Sequence, residues 1–253
     1  MVSIWLLEFK LANFIMKVSL FVSCLVDQLF PVVGDSTVKV LKKLGVEVEF
    51  DRRQTCCGQP AFNSGYVQEA RQVASVFLEI FKDAGTIVVP SGSCCTMIKI
   101  FFPQLFPKGS KEEMLAREIS KRTFELSDFL VSVLGVTSVG ACFPEVVTYH
   151  DSCHLLRELN ISRAPRQLIG AVEGINFKEM KDCDRCCGFG GTFSVKFSDV
   201  SAAIGEDKIR RIEQSGAQYL IATDVSCLMH LDGLLRRHQV PVKTMHLAEL
   251  LAQ

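Results

Sequence analysis

The stretch Asp182–Ser194 reads DCDRCCGFGGTFS, and a fainter copy, QTCCGQPAFNS, runs from Gln54 to Ser64. Each holds an adjacent cysteine pair followed at once by glycine, Cys56-Cys57-Gly58 and Cys186-Cys187-Gly188. Two neighbouring thiols on a glycine-bearing turn can aim two sulfurs at one object. The pattern persists outward from each pair. Cys24 lies 32 positions before Cys56 and Cys94 lies 37 after Cys57, while Cys153 lies 33 before Cys186 and Cys227 lies 40 after Cys187. The offset between copies is 129 at the first cysteine, 130 at the pair and 133 at the last. So steady an offset indicates a duplicated domain. It divides the chain into an extension (1–15), a first cysteine-rich domain (16–137) and a second (138–253).

Composition narrows the chemistry. With 253 residues, 48% of them hydrophobic and 22% charged, the chain can bury a sizeable core. Its 28 basic and 28 acidic residues cancel, and the absence of a basic block argues against nucleic acid. Eleven cysteines in a secreted chain would mean disulfides, but the small, loop-rich character of such domains is missing. The opening MVSIWLLEFKLANFIMK is broken by Glu8 and Lys10, with no basic leader and no small-residue cleavage site. No uncharged run reaches the roughly 18 residues of a membrane span. The expectation is a reducing cytoplasm, where clustered cysteines mean metal or redox chemistry. Residues 1–15 fit nothing in the repeat and read either as a start-codon extension or as a short docked helix.

Both copies alternate strands with helices. In the first, strands are expected at 18–22, 46–50 and 86–90, and helices at 35–44 (capped by Asp35 or Ser36, stopped by Gly45), 67–82, 111–122 and 127–134. In the second, strands are expected at 146–150, 175–180, 219–223 and 240–245, with helices at 163–171, 200–215 and 246–252. The stripe Val73, Val76, Phe77 and Ile80 reads as core. The fold class is α/β, two pseudo-symmetric domains, each a small, mostly parallel sheet flanked by helices. Every repeated cysteine then follows a strand, and parallel strands end on one edge, where such folds bind ligands.

Four sulfurs per site suit zinc or an iron–sulfur cluster. Zinc usually draws on short Cys-x-x-Cys knuckles, whereas these ligands span a whole domain edge and two are adjacent, which favours a multi-iron cluster. Gly58, Gly188, Gly190 and Gly191 let backbone N–H groups approach thiolate and sulfide charge. Buried inert thiols, a zinc-stabilised scaffold and a dithiol/disulfide centre remain open readings of the same residues.

The pattern Cys-x(31–32)-Cys-Cys-Gly-x(35–38)-Cys, seen twice, resembles the cysteine-rich CCG domain family, which includes the B subunit of heterodisulfide reductase and the iron–sulfur subunit of glycolate oxidase. FVSCLVD at 21–27, QTCCGQPAFNSGY at 54–66, PSGSC at 90–94, DSCHLLRELNI at 151–161, CCGFGGTFSVK at 186–196 and CLMH at 227–230 are most similar to its lactate-utilization branch, from about Met16 onward. The resemblance implies an iron–sulfur component of an oxidoreductase that converts L-lactate to pyruvate, inactive alone. It implies one 4Fe-4S cluster per domain and two partners, a larger ferredoxin-like iron–sulfur protein B and a small protein C. It assigns as metal ligands Cys24, Cys56, Cys57 and Cys94, then Cys153, Cys186, Cys187 and Cys227. Relatives carry a Cys-x-x-Cys as the last element; here Ser91 and Asp224 stand at its first position, leaving four thiolates and an oxygen that could add a fifth ligand. Cys95, Cys142 and Cys183 have no counterpart in the other copy. His154, Arg157 and His246 are weaker candidates for proton transfer or carboxylate binding at the crevice.

Overall fold

The computed structural model describes residues 16–253; the expected extension 1–15 lies outside the described residues. The first half runs β1 (Lys17–Leu20), α1 (Cys24–Leu29), α2 (Pro31–Lys43), β2 (Glu47–Glu49), α3 (Gln59–Asn63), α4 (Val67–Phe81) and β3 (Thr86–Val89). After these come α5 (Gly92–Thr96), a π turn (Met97–Phe101), α6 (Phe102–Leu105), α7 (Lys111–Lys121), β4 (Thr123–Glu125) and α8 (Leu126–Asp128). The second half runs β5 (Val146–Tyr149), α9 (Cys153–Arg157), α10 (Arg163–Gly170), β6 (Asn176–Phe177), α11 (Phe193–Lys196) and α12 (Ser198–Gln214). It closes with β7 (Tyr219–Ala222), α13 (Val225–Arg237), β8 (Lys243–His246) and α14 (Leu247–Leu251).

The two four-stranded sheets have orders β2-β1-β3-β4 and β6-β5-β7-β8, and every pairing is parallel. Central strands of such sheets are covered on both faces and read as apolar runs. Ile87, Val88 and Val89 of β3, and Leu220, Ile221 and Ala222 of β7, are accordingly fully buried.

A repeated pattern of helix packing joins the halves. α2 packs on α14 and α8 on α10; α1 packs on α13 and α5 on α9. Under the repeat these are the same two contacts made twice, which is the signature of a pseudo-twofold interface. One apolar cluster runs through it, from Val18, Val88 and Leu126 to Val147, Tyr149, Ile221 and Leu247. Two outer clusters back the individual sheets, one rich in phenylalanine around Phe21, Phe77, Phe81 and Phe102, the other aliphatic around Ile209, Leu220 and Leu231. Among the described residues no helix is long and apolar enough to cross a membrane.

Several elements differ from the sequence expectation for identifiable reasons. The helix expected at 35–44 begins at Pro31, whose fixed φ suits a first helical position, so Ser36 lies buried inside it rather than capping it. Gly45, at φ 76°, follows its end as expected. The strand expected at 175–180 pairs over Asn176–Phe177 alone. Thr123–Glu125 is a fourth strand, hidden because it follows a helix without a turn and is only three residues long. In α4 the buried face is Ala70, Ala74, Phe77, Leu78 and Phe81, and Val76 is 46% exposed. The buried face, which includes Ala70 and Ala74, is turned by about one position from the apolar stripe and packs on α6 and α7.

The fourth strands end in buried caps, Glu125 for α8 and His246 for α14. Glu125 accepts from the Ser127 N–H at 2.8 Å and from the Ser127 hydroxyl, with its other oxygen unpartnered. Burial pushes its carboxyl up to about 7. The folded chain therefore holds a proton that the unfolded chain releases near pH 4.5, so this contribution is full below that pH and lost as pH rises through about 7. At about 1.4 kcal/mol per pH unit it amounts to ~3 kcal/mol. His246, pushed down to about 4 by burial, acts oppositely: its contribution is lost as pH falls below 6.5. The test is therefore a difference. Urea unfolding of Glu125→Gln should match wild type near pH 4.5 and become more stable than wild type by ~3 kcal/mol by pH 8; a pH-independent difference would contradict the assignment.

Candidate metal centre

In each sheet the strand order reverses at its centre, between β1 and β3 and between β5 and β7. A crevice opens at the carboxyl ends there, because the connections on either side leave in opposite directions. The cysteines sit around it. Cys24 begins α1 after β1, Cys94 lies on α5 after β3, and Cys56 and Cys57 follow β2; Cys153, Cys227, Cys186 and Cys187 repeat this after β5, β7 and β6. All eight line one cavity of ≈ 380 Å³ between the halves, together with His154, Ser91, Asp224, Gly190 and Gly191.

Within a quartet the sulfurs form an open run. In the first half Cys24 Sγ lies 3.6 Å from Cys56 Sγ, and Cys57 Sγ lies 3.3 Å from Cys94 Sγ. In each quartet the pair's second cysteine and the last cysteine are buried, and the other two are half-buried. Among the described residues no three sulfurs of either quartet lie within 4.8 Å of one another. Two thiolates at about 2.3 Å on one tetrahedral metal atom lie roughly 3.8 Å apart, so each close pair has the spacing of two ligands on one metal atom.

The turns stabilise thiolate charge at one sulfur of each pair. Cys56 is held well below the usual thiol range by the Cys24 thiol, then by Cys57, and by the Gly58 N–H donating to its sulfur at 3.4 Å. Cys186 is lowered in the same way by Cys153, Cys187 and the Gly188 N–H at 3.3 Å. Cys24 and Cys153, donating to those thiolates and partly desolvated, are raised. Four thiols per site, with a glycine N–H donating to one sulfur of each, fit a metal centre held by thiolates.

Ser91 and Asp224 both line the cavity, and both cap the helix that carries the last cysteine of their quartet. Ser91 Oγ accepts from the Cys94 N–H at 3.3 Å. Asp224 Oδ1 accepts from the Ser226 N–H and hydroxyl, and its Oδ2 accepts from the Ser93 N–H of the opposite half at 2.7 Å. Further bonds close the cleft: Ser64 Oγ to Thr192 Oγ1 at 2.8 Å, and the Thr96 hydroxyl to the His154 carbonyl at 3.2 Å. At Gly92 a Cβ would meet Leu155 Cβ at 2.8 Å and Ser152 Oγ at 2.9 Å, so only glycine lets α5 lie this close to α9.

The remaining candidates separate. His154 is on the cleft wall, its Nδ1 3.8 Å from Cys153 Sγ. Arg157, expected to face the crevice, is exposed and reaches toward the Asp184 carbonyl, because it is the last residue of α9, one turn further from the strand end than Cys153. His246, expected there too, is buried as the α14 cap, its Nδ1 accepting from the Ala248 N–H at 3.1 Å. Cys95 is fully buried in the phenylalanine-rich core. Cys142 is exposed. Cys183 is held by Arg166 at 3.3 Å and Asp151 at 3.4 Å, and burial pushes its thiol up to about 11.

One histidine that the sequence reading leaves without a role stands closer to the sulfurs than expected. His150, at the end of β5, is fully buried, and a ring nitrogen lies within 4.8 Å of both Cys187 Sγ and Cys227 Sγ. Neither ring nitrogen makes a hydrogen bond of normal geometry, although the Cys183 carbonyl lies beside the ring. Burial, then Lys208, pushes it down to about 3, so the imidazole is neutral. Aligning the two copies would have flagged it, since the first carries Phe21 there.

The glycines of the second turn are not equivalent. Gly188 has φ 93°, and a Cβ there would meet Ser201 O at 2.5 Å and Gly205 N at 3.1 Å; Gly191, at φ 64°, has nothing within 4 Å. Gly188→Ala should therefore displace the Cys186-Cys187 turn and lose the second site's metal. Gly191→Ala should cost only left-handed strain, about 1–2 kcal/mol, with metal content intact. Metal analysis and urea unfolding of both variants check this; equal metal loss in both would contradict it.

The "Cysteine-rich domain" CCG family model matches twice, at residues 18–99 and 147–232. The chain is 48% identical to lactate utilization protein A of Macrococcus caseolyticus over 236 residues, covering 93% of this chain and 96% of the relative. It is 49% identical to that of an Exiguobacterium species, at 93% and 96% coverage, and 46% identical to that of Bacillus subtilis, at 93% and 99%. With both quartets inside the matched segments and near-complete coverage of these relatives, the chain belongs to the CCG cysteine-rich domain family and, within it, to the lactate utilization protein A group.

Proposed function

We propose that this chain is the iron–sulfur electron-transfer component of a multi-protein oxidoreductase that oxidises L-lactate to pyruvate. It would hold one 4Fe-4S cluster in each quartet, Cys24, Cys56, Cys57 and Cys94 for the first and Cys153, Cys186, Cys187 and Cys227 for the second. The observation that carries the reading is that two repeated sets of four cysteines open on a single cleft. When bound, such clusters supply one-electron storage and relay. The relatives' name supports lactate as the carbon source, and oxidation of lactate to pyruvate releases two electrons and two protons, one electron for each site.

The chain's own residues then have defined tasks. The cysteines hold the clusters; the Gly58 and Gly188 N–H groups bear part of their negative charge. His154, the one histidine on the cleft wall, accepts a proton beside the second site. The fold buries Cys57, Cys94, Cys187 and Cys227 and leaves the other four sulfurs toward the open side of the cleft. Proteins B and C would pass electrons on, and a reducing cytoplasm would keep the thiols free.

Protein purified under argon should be brown and contain acid-labile sulfide, with about eight irons per chain from two four-iron clusters. Cys57→Ser and Cys187→Ser should each lose about half the iron, and Cys95→Ser, altering a thiol outside the cleft, should lose none. Colourless protein that takes up only zinc after anaerobic reconstitution would overturn the reading in favour of a scaffold. Disulfide turnover by metal-free protein, abolished in Cys186→Ser, would overturn it in favour of a dithiol enzyme.

A further inference from the structure

The two sites share a backbone but not a back wall. The Phe21 N–H donates to Val88 O at 2.9 Å, and the His150 N–H donates to Ile221 O at 2.9 Å, so these residues occupy the same place in their halves. A second pair matches in the same way. A Cβ on Gly58 would face Ala70 O and one on Gly188 would face Ser201 O, which aligns α4 with α12 and sets Phe77 opposite Lys208. Behind the first quartet Phe21 and Phe77 pack edge-to-face, 5.1 Å between centroids. Behind the second stand His150 and Lys208, both fully buried. The Lys208 ammonium donates to the Cys183 carbonyl at 2.7 Å and the Asp182 carbonyl at 3.3 Å, on the strand-to-turn segment that leads into Cys186.

Packing does not explain this exchange. An aromatic pair fills the slot in one half, and replacing it with a lysine and an unpartnered imidazole has a desolvation cost that the fold does not require. The imidazole nitrogen lies within 4.8 Å of two ligand sulfurs. A buried cation behind the site favours the more negative, reduced state of a bound metal group, and the imidazole nitrogen stands where it can add a donor beside the thiolates.

Resting on the iron–sulfur reading above, we propose that His150 is a fifth, nitrogen ligand beside the four thiolates of the metal group at the second site, and that Lys208 behind it gives that site the higher reduction potential of the two. The first site is all-thiolate and apolar-walled, so electrons entering there run downhill to the second.

The test uses whole chain loaded anaerobically. Iron and sulfide are assayed first; their absence overturns the iron–sulfur reading, whatever becomes of this one. With both present, protein grown on ¹⁵N-histidine is reduced and its nitrogen hyperfine couplings are measured by pulsed EPR. A strongly coupled histidine nitrogen is expected in wild type, which needs no variant to fold, and its absence overturns the ligation. Redox titration should resolve two transitions. Cys186→Ser, holding only the first cluster, should keep the lower one, and Lys208→Met should move the upper one down while the lower stays. Overlapping transitions, a surviving upper transition in Cys186→Ser, or an unmoved upper transition in Lys208→Met would each overturn the assignment of potentials.

Discussion

The constraint on which this molecule depends is the direction of its strands. Because every strand in each sheet is parallel, every strand-end loop falls on one edge, and cysteines far apart in sequence arrive there together. An antiparallel pairing at any point would send one sulfur to the opposite edge. The central strands must therefore be covered on both faces, which the flanking helices and the shared central cluster accomplish. The same cluster turns the two edges toward each other, so that a duplicated chain makes one cleft instead of two separate sites.

Much of this could be read from the residues. The repeat offsets set the two halves, and strand-like runs before each cysteine set the edge. What stayed hidden depends on tertiary contact. Pro31 extends α2 beyond the expected cap, and Thr123–Glu125 becomes a strand only because β3 offers it a partner. Val76 looks like core by spacing, yet the face that α4 buries includes Ala70 and Ala74 and leaves Val76 exposed. Ser91 and Asp224 read as possible oxygen ligands in place of a cysteine. In the fold each caps a helix, and Asp224 also ties its half to the other through Ser93.

The candidate site was legible to the extent that it repeats, and obscure where the copies part. His150, a lone histidine at a strand end, gains no role from sequence, since such a histidine is most often a satisfied structural residue. Its significance comes from three facts that only coordinates supply together: full burial, two ring nitrogens without partners, and two ligand sulfurs within reach. Arg157 shows the converse. A strand-end position brought it into consideration, but one turn along α9 is enough to carry it out of the cleft.

Duplication leaves a physical problem that divergence can solve. Two identical sites facing one cavity would exchange an electron in both directions with equal ease. An all-thiolate site walled by phenylalanine and a site backed by a histidine and a buried lysine cannot do so, because the second stabilises added negative charge and the first does not. The cost is carried by the fold, which desolvates Lys208 strongly enough to push it down to about 8 and anchors it on two carbonyls. A pseudo-symmetric scaffold with an asymmetric interior thus gives direction to a path that its backbone leaves undirected.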